Sequence, residues 1–291
     1  MEKLQAALEM ARRKRAEGGQ AAPPPPQAAA PGPMPGAAPG TAETAQDGPG
    51  QDGPVAAWQA LTPAEPDHKA MIQARILSRQ ASAESTPFDV LRTKILYQMR
   101  QNGWRRLAIT SPLPRSGKTT IALNLALGLG RQPELHTMLF DFDLRDPAVA
   151  RKLGIAEPPP IAPLLRGETR FADHARRIGP NLALALSGVP DPDPTRLLMS
   201  GSTRETLAGV QAEYDPDIMI FDLPSILIGD DARAFLQHVD CALIVARAEQ
   251  TRYGDFDSCE REVAEYTNVL GVVLNGYRQD RAAKQAREMM E

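Results

Sequence analysis

Hydrophobic positions recur as short, nearly unbroken runs over the last two thirds of the chain. They read WRRLAITS (104–111), HTMLFDFDL (136–144), NLALALSG (181–188), DIMIFDLP (217–224), CALIVARA (241–248) and LGVVLNG (270–276). Apolar runs of this length without alternation predict strands covered on both faces. Patterns of helical period lie between most of them, one starting at Lys118 and others over 145–153, 202–214, 230–238 and 253–268. Strand–helix alternation of this kind predicts an α/β fold with a mostly parallel, doubly wound sheet and right-handed crossovers.

The first 70 residues follow a different pattern. Leu4, Leu8 and Ala11 share one face at helical spacing, and the run Arg12 to Arg15 ends that segment with charges that suit a helix C-terminus. A helix this short is marginal in water and needs a partner surface; a solvated tail is the other reading. From 17 to 70 the chain is dominated by Ala, Pro, Gly and Gln, and twelve of its 27 prolines fall between Pro23 and Pro66. Such a segment buries too little apolar surface to offset its ordering entropy, which predicts a disordered or polyproline-like linker. The expected organisation is a short amphipathic helix at 1–16, a linker at 17–70, an α/β domain at 71–278 and a tail at 279–291.

Composition narrows the function classes. The net charge of −3 gives no sign of nucleic-acid binding. Two cysteines, Cys241 and Cys259, are too few and too widely spaced for a disulfide framework or a structural zinc site. No apolar run approaches the ~20 residues that span a bilayer. The expectation is a cytoplasmic protein whose dealings with a membrane go through a partner.

The chemistry sits at strand ends. SPLPRSGKTT (111–120) follows a predicted strand and opens a predicted helix. Its second half, Gly117-Lys118-Thr119, matches the end of the phosphate-loop pattern, but the first glycine of that pattern is replaced by Pro112. A helix N-terminus with inward N–H groups, a lysine and a hydroxyl is a cradle for phosphates and their magnesium ion. Asp141 and Asp143 close the strand LFDFD, at the sheet edge where α/β proteins bind ligands. As alternate residues they can face one metal–phosphate centre, one orienting magnesium and the other accepting a proton from an attacking hydroxyl. Asp222 ends the apolar strand DIMIFD, where a carboxylate holds magnesium in many nucleotide-binding proteins. Asn275 ends GVVLN and can either read an adenine edge or form the turn before Gly276.

Together these segments resemble the bacterial tyrosine kinases of capsule and exopolysaccharide synthesis, in the Mrp/MinD/ParA branch of P-loop ATPases. The likeness runs from about Phe88 to Tyr277. That family's loop reads S-x-x-P-G-E-G-K-[ST]-T and has no early glycine, which accounts for Pro112. Pro114, Gly117, Lys118, Thr119 and Thr120 match it, while Arg115 and Ser116 replace the usual Gly-Glu. D-x-D-L-R-x-P is complete as Asp141, Asp143, Leu144, Arg145 and Pro147, and D-T-P-P is reduced to Asp222-Leu223-Pro224-Ser225.

The resemblance implies a P-loop NTPase-type sheet that binds ATP and Mg2+ through residues 114–120 and Asn275. Thr119, Asp141 and Asp222 would serve the metal, and Lys118, Asp141 and Asp143 the transfer. It also implies a membrane-spanning polysaccharide chain-length or co-polymerase partner, placement at the inner membrane through that partner, and a homo-oligomer. Two family features are altered. Of the charged positions of the assembly motif E-x-x-R-x-x-R, here Thr86, Asp89 and Arg92, only Arg92 matches. The segment after Tyr277 has no tyrosine, where the family carries a cluster. A nucleotide-binding regulatory module without catalysis is therefore an alternative. A partitioning ATPase is another, although Leu113 stands where that group has a second lysine.

Overall fold

A computed structural model describes residues 53–277 of the chain. The helix expected at 1–16, most of the linker and the tail lie outside the described residues. Eight strands form one sheet: β1 (Thr62–Pro63), β2 (Arg106–Thr110), β3 (Thr137–Asp141), β4 (Arg176–Ile178), β5 (Leu182–Ala185), β6 (Ile218–Asp222), β7 (Cys241–Arg247) and β8 (Asn268–Asn275). Their spatial order is β1-β4-β5-β3-β6-β2-β7-β8. Every neighbouring pair is parallel except β4 with β5. The mostly parallel, doubly wound α/β fold is therefore present.

The helices are α1 (Pro54–Ala60), α2 (His68–Gln73), α3 (Thr86–Asn102), α4 (Lys118–Leu129), α5 (Val149–Leu153), α6 (Ala162–Leu165), α7 (Phe171–His174), α8 (Pro194–Met199), α9 (Gly201–Tyr214), α10 (Asp231–Leu236) and α11 (Tyr253–Tyr266). Strands β2, β3, β6 and β7 are apolar on both faces because each face carries its own core. One core is aromatic, with Phe140, Phe142, Phe221 and Phe235 in mutual ring contact. The other is aliphatic, with Ile95, Leu123, Leu139, Ile220 and Leu243 between the sheet and helices α3 and α4. Helix α4 is buried almost all round, as a helix between two layers must be. Its one buried polar side chain in the middle turns, Asn124, is fully used. Its Oδ1 accepts from the Leu77 and Ser78 N–H groups, and its amide nitrogen donates to the Arg75 and Thr120 carbonyls.

The linker ends earlier than its composition predicts. Residues 53–70 fold onto the domain as α1, β1 and the start of α2. Trp58 is the anchor: it is 2% exposed, its Nε1 donates to the Tyr214 carbonyl at 2.8 Å, and its ring lies 4.8 Å from that of His136. One large aromatic ring can secure a segment whose other residues offer little to bury.

Candidate functional site

Between β2 and α4 the chain runs through Ser111 to Gly117, and almost every turn of this loop is pinned. The Ser111 and Ser116 hydroxyls both donate to the Leu113 carbonyl at 2.8 Å. Ile226 N–H donates to the Ser111 carbonyl, tying the loop to the segment that leaves β6. Arg247, at the end of β7, donates to the Arg115 carbonyl at 2.7 Å. Arg115 and Gly117 both have left-handed backbones, with φ of 61° and 94°. Gly117 is sterically required, since a Cβ there would lie 2.1 Å from the Asn275 amide nitrogen.

That contact gives Asn275 a structural role in the loop. Its amide donates to the Ser116 carbonyl at 2.8 Å and does not line the cleft. Strand β8 runs beside β7, which brings its last residue against the loop. Asn275 is thus a brace for the loop.

Above the loop lies an open cleft of about 840 Å³, lined by Gly117, Lys118, Thr119, Asp143 and Lys152 among others. Pro114, Arg115 and Thr120 also border it, whereas Ser116 is buried under the loop. Lys118 opens α4, so its ammonium and the helix N-terminus face the same space. Its Nζ donates to the Ser225 hydroxyl at 3.1 Å, and Ser225 in turn shares a hydrogen bond with Ser111.

The carboxylates are arranged differently from the expected Asp141/Asp143 pair. Strand β3 ends at Asp141, and its register partner is Asp222 at the end of β6. Both are fully buried and neither lines the cleft, while Asp143, two residues past Asp141 and beyond the strand, does. Asp141 Oδ2 accepts from the Val149 N–H at 3.0 Å, which ties the strand end to the start of α5. Its Oδ1 and both oxygens of Asp222 have no hydrogen-bond partner among the described residues.

Burial pushes the Asp222 carboxyl up to about 7, against the opposing pull of Lys118 and the Thr119 hydroxyl. Asp141 is raised well above the carboxylate range by burial and then by Asp222. Asp143 is raised as well, by burial first, with Lys118 acting against it. Unpartnered buried carboxylate oxygens are costly and call for a cation or a proton. Beside the Thr119 hydroxyl and the phosphate loop, the donor set fits magnesium, which takes one or two protein oxygens and completes its shell with phosphate and water. Among the described residues no group of three or more His, Cys, Asp or Glu side chains is arranged to hold a metal unaided.

Several participants escape the sequence patterns. Ser225 holds Lys118, Arg247 holds the loop, and Asp231, 2% exposed, holds the Arg145 guanidinium through two hydrogen bonds of 2.5 and 3.0 Å. Of the assembly-motif positions Thr86 is exposed, while Asp89 and Arg92 are half-buried: Arg92 donates to the Gly128 carbonyl at 2.9 Å, and Asp89 pairs with Arg92 and Arg131.

A mostly parallel sheet with this loop after an interior strand and carboxylates at the neighbouring strand ends has the arrangement of P-loop nucleotide-binding α/β proteins. No protein-family model matches the chain. It is similar to the tyrosine-protein kinase Wzc of Salmonella typhimurium, at 28% identity over 231 residues, covering 76% of this chain and 31% of Wzc. It is also similar to the tyrosine-protein kinase YwqD of Bacillus subtilis, at 26% identity over 202 residues, covering 69% of this chain and 84% of YwqD. The chain therefore spans about a third of the length of Wzc and most of YwqD.

Among solved structures, the VpsO kinase domain aligns with a TM-score of 0.59 and 29% identity, over 67% of this chain and 96% of that domain. MinD of Pyrococcus horikoshii, complexed with Mg-ADP, shares the fold alone, with a TM-score of 0.50 and 21% identity over 62% of this chain and 76% of that one. The homologues of this chain are bacterial tyrosine-protein kinases, and its structural neighbours are their kinase domains, with MinD-type ATPases further off.

Proposed function

We propose that the chain binds ATP with magnesium in this cleft and catalyses phosphoryl transfer to a protein hydroxyl, or to water, in the control of exopolysaccharide polymerisation or export. The observation that carries this reading is a phosphate loop whose Lys118 and Thr119 act on the buried carboxylate of Asp222, which makes no hydrogen bond of full geometry among the described residues. Lys118 would leave Ser225 for the phosphates. Thr119 and Asp222 would hold the magnesium ion, with Asp141 beside them. Bound magnesium would supply charge neutralisation on the phosphates. Asp143, which borders the cleft and whose carboxyl burial raises, would accept the proton of an attacking hydroxyl. Catalysis would then be positioning plus electrostatics, as phosphoryl transfer requires.

The relatives' names supply the kinase activity, and the family resemblance supplies the polysaccharide context. A membrane-spanning chain-length protein is the proposed partner. Among the described residues no helix is long and apolar enough to cross a membrane. Placement at the inner membrane through that partner is part of the proposal.

The test is incubation with γ-labelled ATP and magnesium, with and without the partner's cytoplasmic segment. The expected result is label on protein, or released phosphate, above a Lys118→Met control. No difference from that control under either condition would reject the reading.

A further inference from the structure

We propose that Lys152 is a second phosphate-facing cation of this site, acting on the charge that develops during phosphoryl transfer. This rests on the ATP–magnesium reading of the cleft. Lys152 stands on the last turn of α5, and the base of that helix is fixed. Asp141 holds its start through the Val149 N–H, and Val149, Ala150 and Leu153 are buried. At its end Gly154 sits so close to the preceding segment that a Cβ would lie 2.5 Å from the Asp67 Cβ. A short helix clamped at both ends presents its side chains from a defined origin.

The other cations of the cleft wall mostly have work already. Lys118 is held by Ser225, Arg145 by Asp231 and Arg151 by Asp146, and Arg247 donates to the Arg115 carbonyl. Arg115 also borders the cleft but is exposed. Lys152 is half-buried, lines the cleft, and makes no ion pair or side-chain hydrogen bond among the described residues. Its charge is felt at Asp222, whose raised pKa it opposes. An ammonium that borders the cleft without a fixed partner is open to a counter-charge. The phosphates of a bound nucleotide supply that charge, and a flexible lysine stem can follow a moving phosphoryl group. A solvated surface lysine would need neither the clamp nor the position opposite the loop.

The test uses the full chain and compares Lys152→Gln and Lys152→Arg with wild type, each checked for native circular dichroism. Calorimetry gives the affinity for magnesium–ADP and for magnesium–ADP with aluminium fluoride, a mimic of the transferring group. The expected result is that Lys152→Gln binds ADP within about threefold of wild type but loses about tenfold or more of its preference for the mimic. Lys152→Arg should recover most of that preference. Unchanged preference in Lys152→Gln, an equal loss for both ligands, or a wild type with no preference for the mimic would each overturn the assignment of Lys152. A wild type that binds no ADP would instead reject the nucleotide reading beneath it.

Discussion

Arg115 carries a left-handed backbone, φ 61°, at a position where the related kinases usually have glycine. For a residue with a Cβ that conformation costs roughly 1–2 kcal/mol. Glycine removes the clash but loses more chain entropy on folding. Arg115→Gly should therefore raise stability by roughly 0.5–1 kcal/mol in denaturant titration, since part of the relief is offset. Unchanged or lower stability would mean that the arginine side chain contributes more than its backbone costs.

Asp222 allows a sharper statement. Its carboxyl titrates near 7 in the folded protein against 3.8 for a free side chain. Between those values the folded state holds a proton that the unfolded state has released. Without nucleotide, stability should fall as pH rises from about 4 through about 7, by an amount of order a few kcal/mol, and Asp141 and Asp143, whose carboxyls are raised as well, add to the fall. Asp222→Asn should reduce that slope and stabilise the unliganded protein at pH 8 while removing the magnesium dependence of nucleotide binding. Urea midpoints measured across the pH range, for both proteins, check the sign.

At the level of elements, the anchoring of residues 53–70 is the feature that a composition-based reading hides. Trp58→Ala should cost about 3–5 kcal/mol, as truncation of a buried ring does, and should expose that segment to protease before the rest of the domain unfolds. A protease-resistant segment in the variant would show that the anchor lies elsewhere. Trp58 was visible in the sequence, but a lone aromatic in a proline-rich stretch has no periodic neighbours to mark it as buried. Strands β2, β3, β5, β6, β7 and β8 were legible because each is an uninterrupted apolar run. Strand β4 was not: Arg176 and Arg177 are polar, and the strand is three residues long and antiparallel to its neighbour. Strand β1, two residues including Pro63, is an edge strand of the kind that tolerates proline. The loop and the strand-end aspartates could be read from local pattern. The contacts of Ser225, Arg247 and Asn275 with the loop could not, because they depend on which strands lie side by side.

At the scale of the whole molecule, the site is assembled from the ends of β2, β3, β6, β7 and β8 and from α4 and α5. Ligand binding should therefore stabilise the entire domain. At a hundredfold excess over its dissociation constant, ATP with magnesium adds about 2.7 kcal/mol, seen as a raised melting temperature that chelation of magnesium reverses. A melting temperature unmoved by the ligand would count against a site built across the sheet. The central claim is that magnesium–ATP is held between Lys118 and Asp222. Its most direct test is a calorimetric titration of ATP into wild type, Lys118→Met and Asp222→Asn, each with and without magnesium. The account predicts binding by wild type that weakens when magnesium is removed, no measurable binding by Lys118→Met, and binding by Asp222→Asn that no longer depends on magnesium. Equal affinities in all three proteins would contradict it.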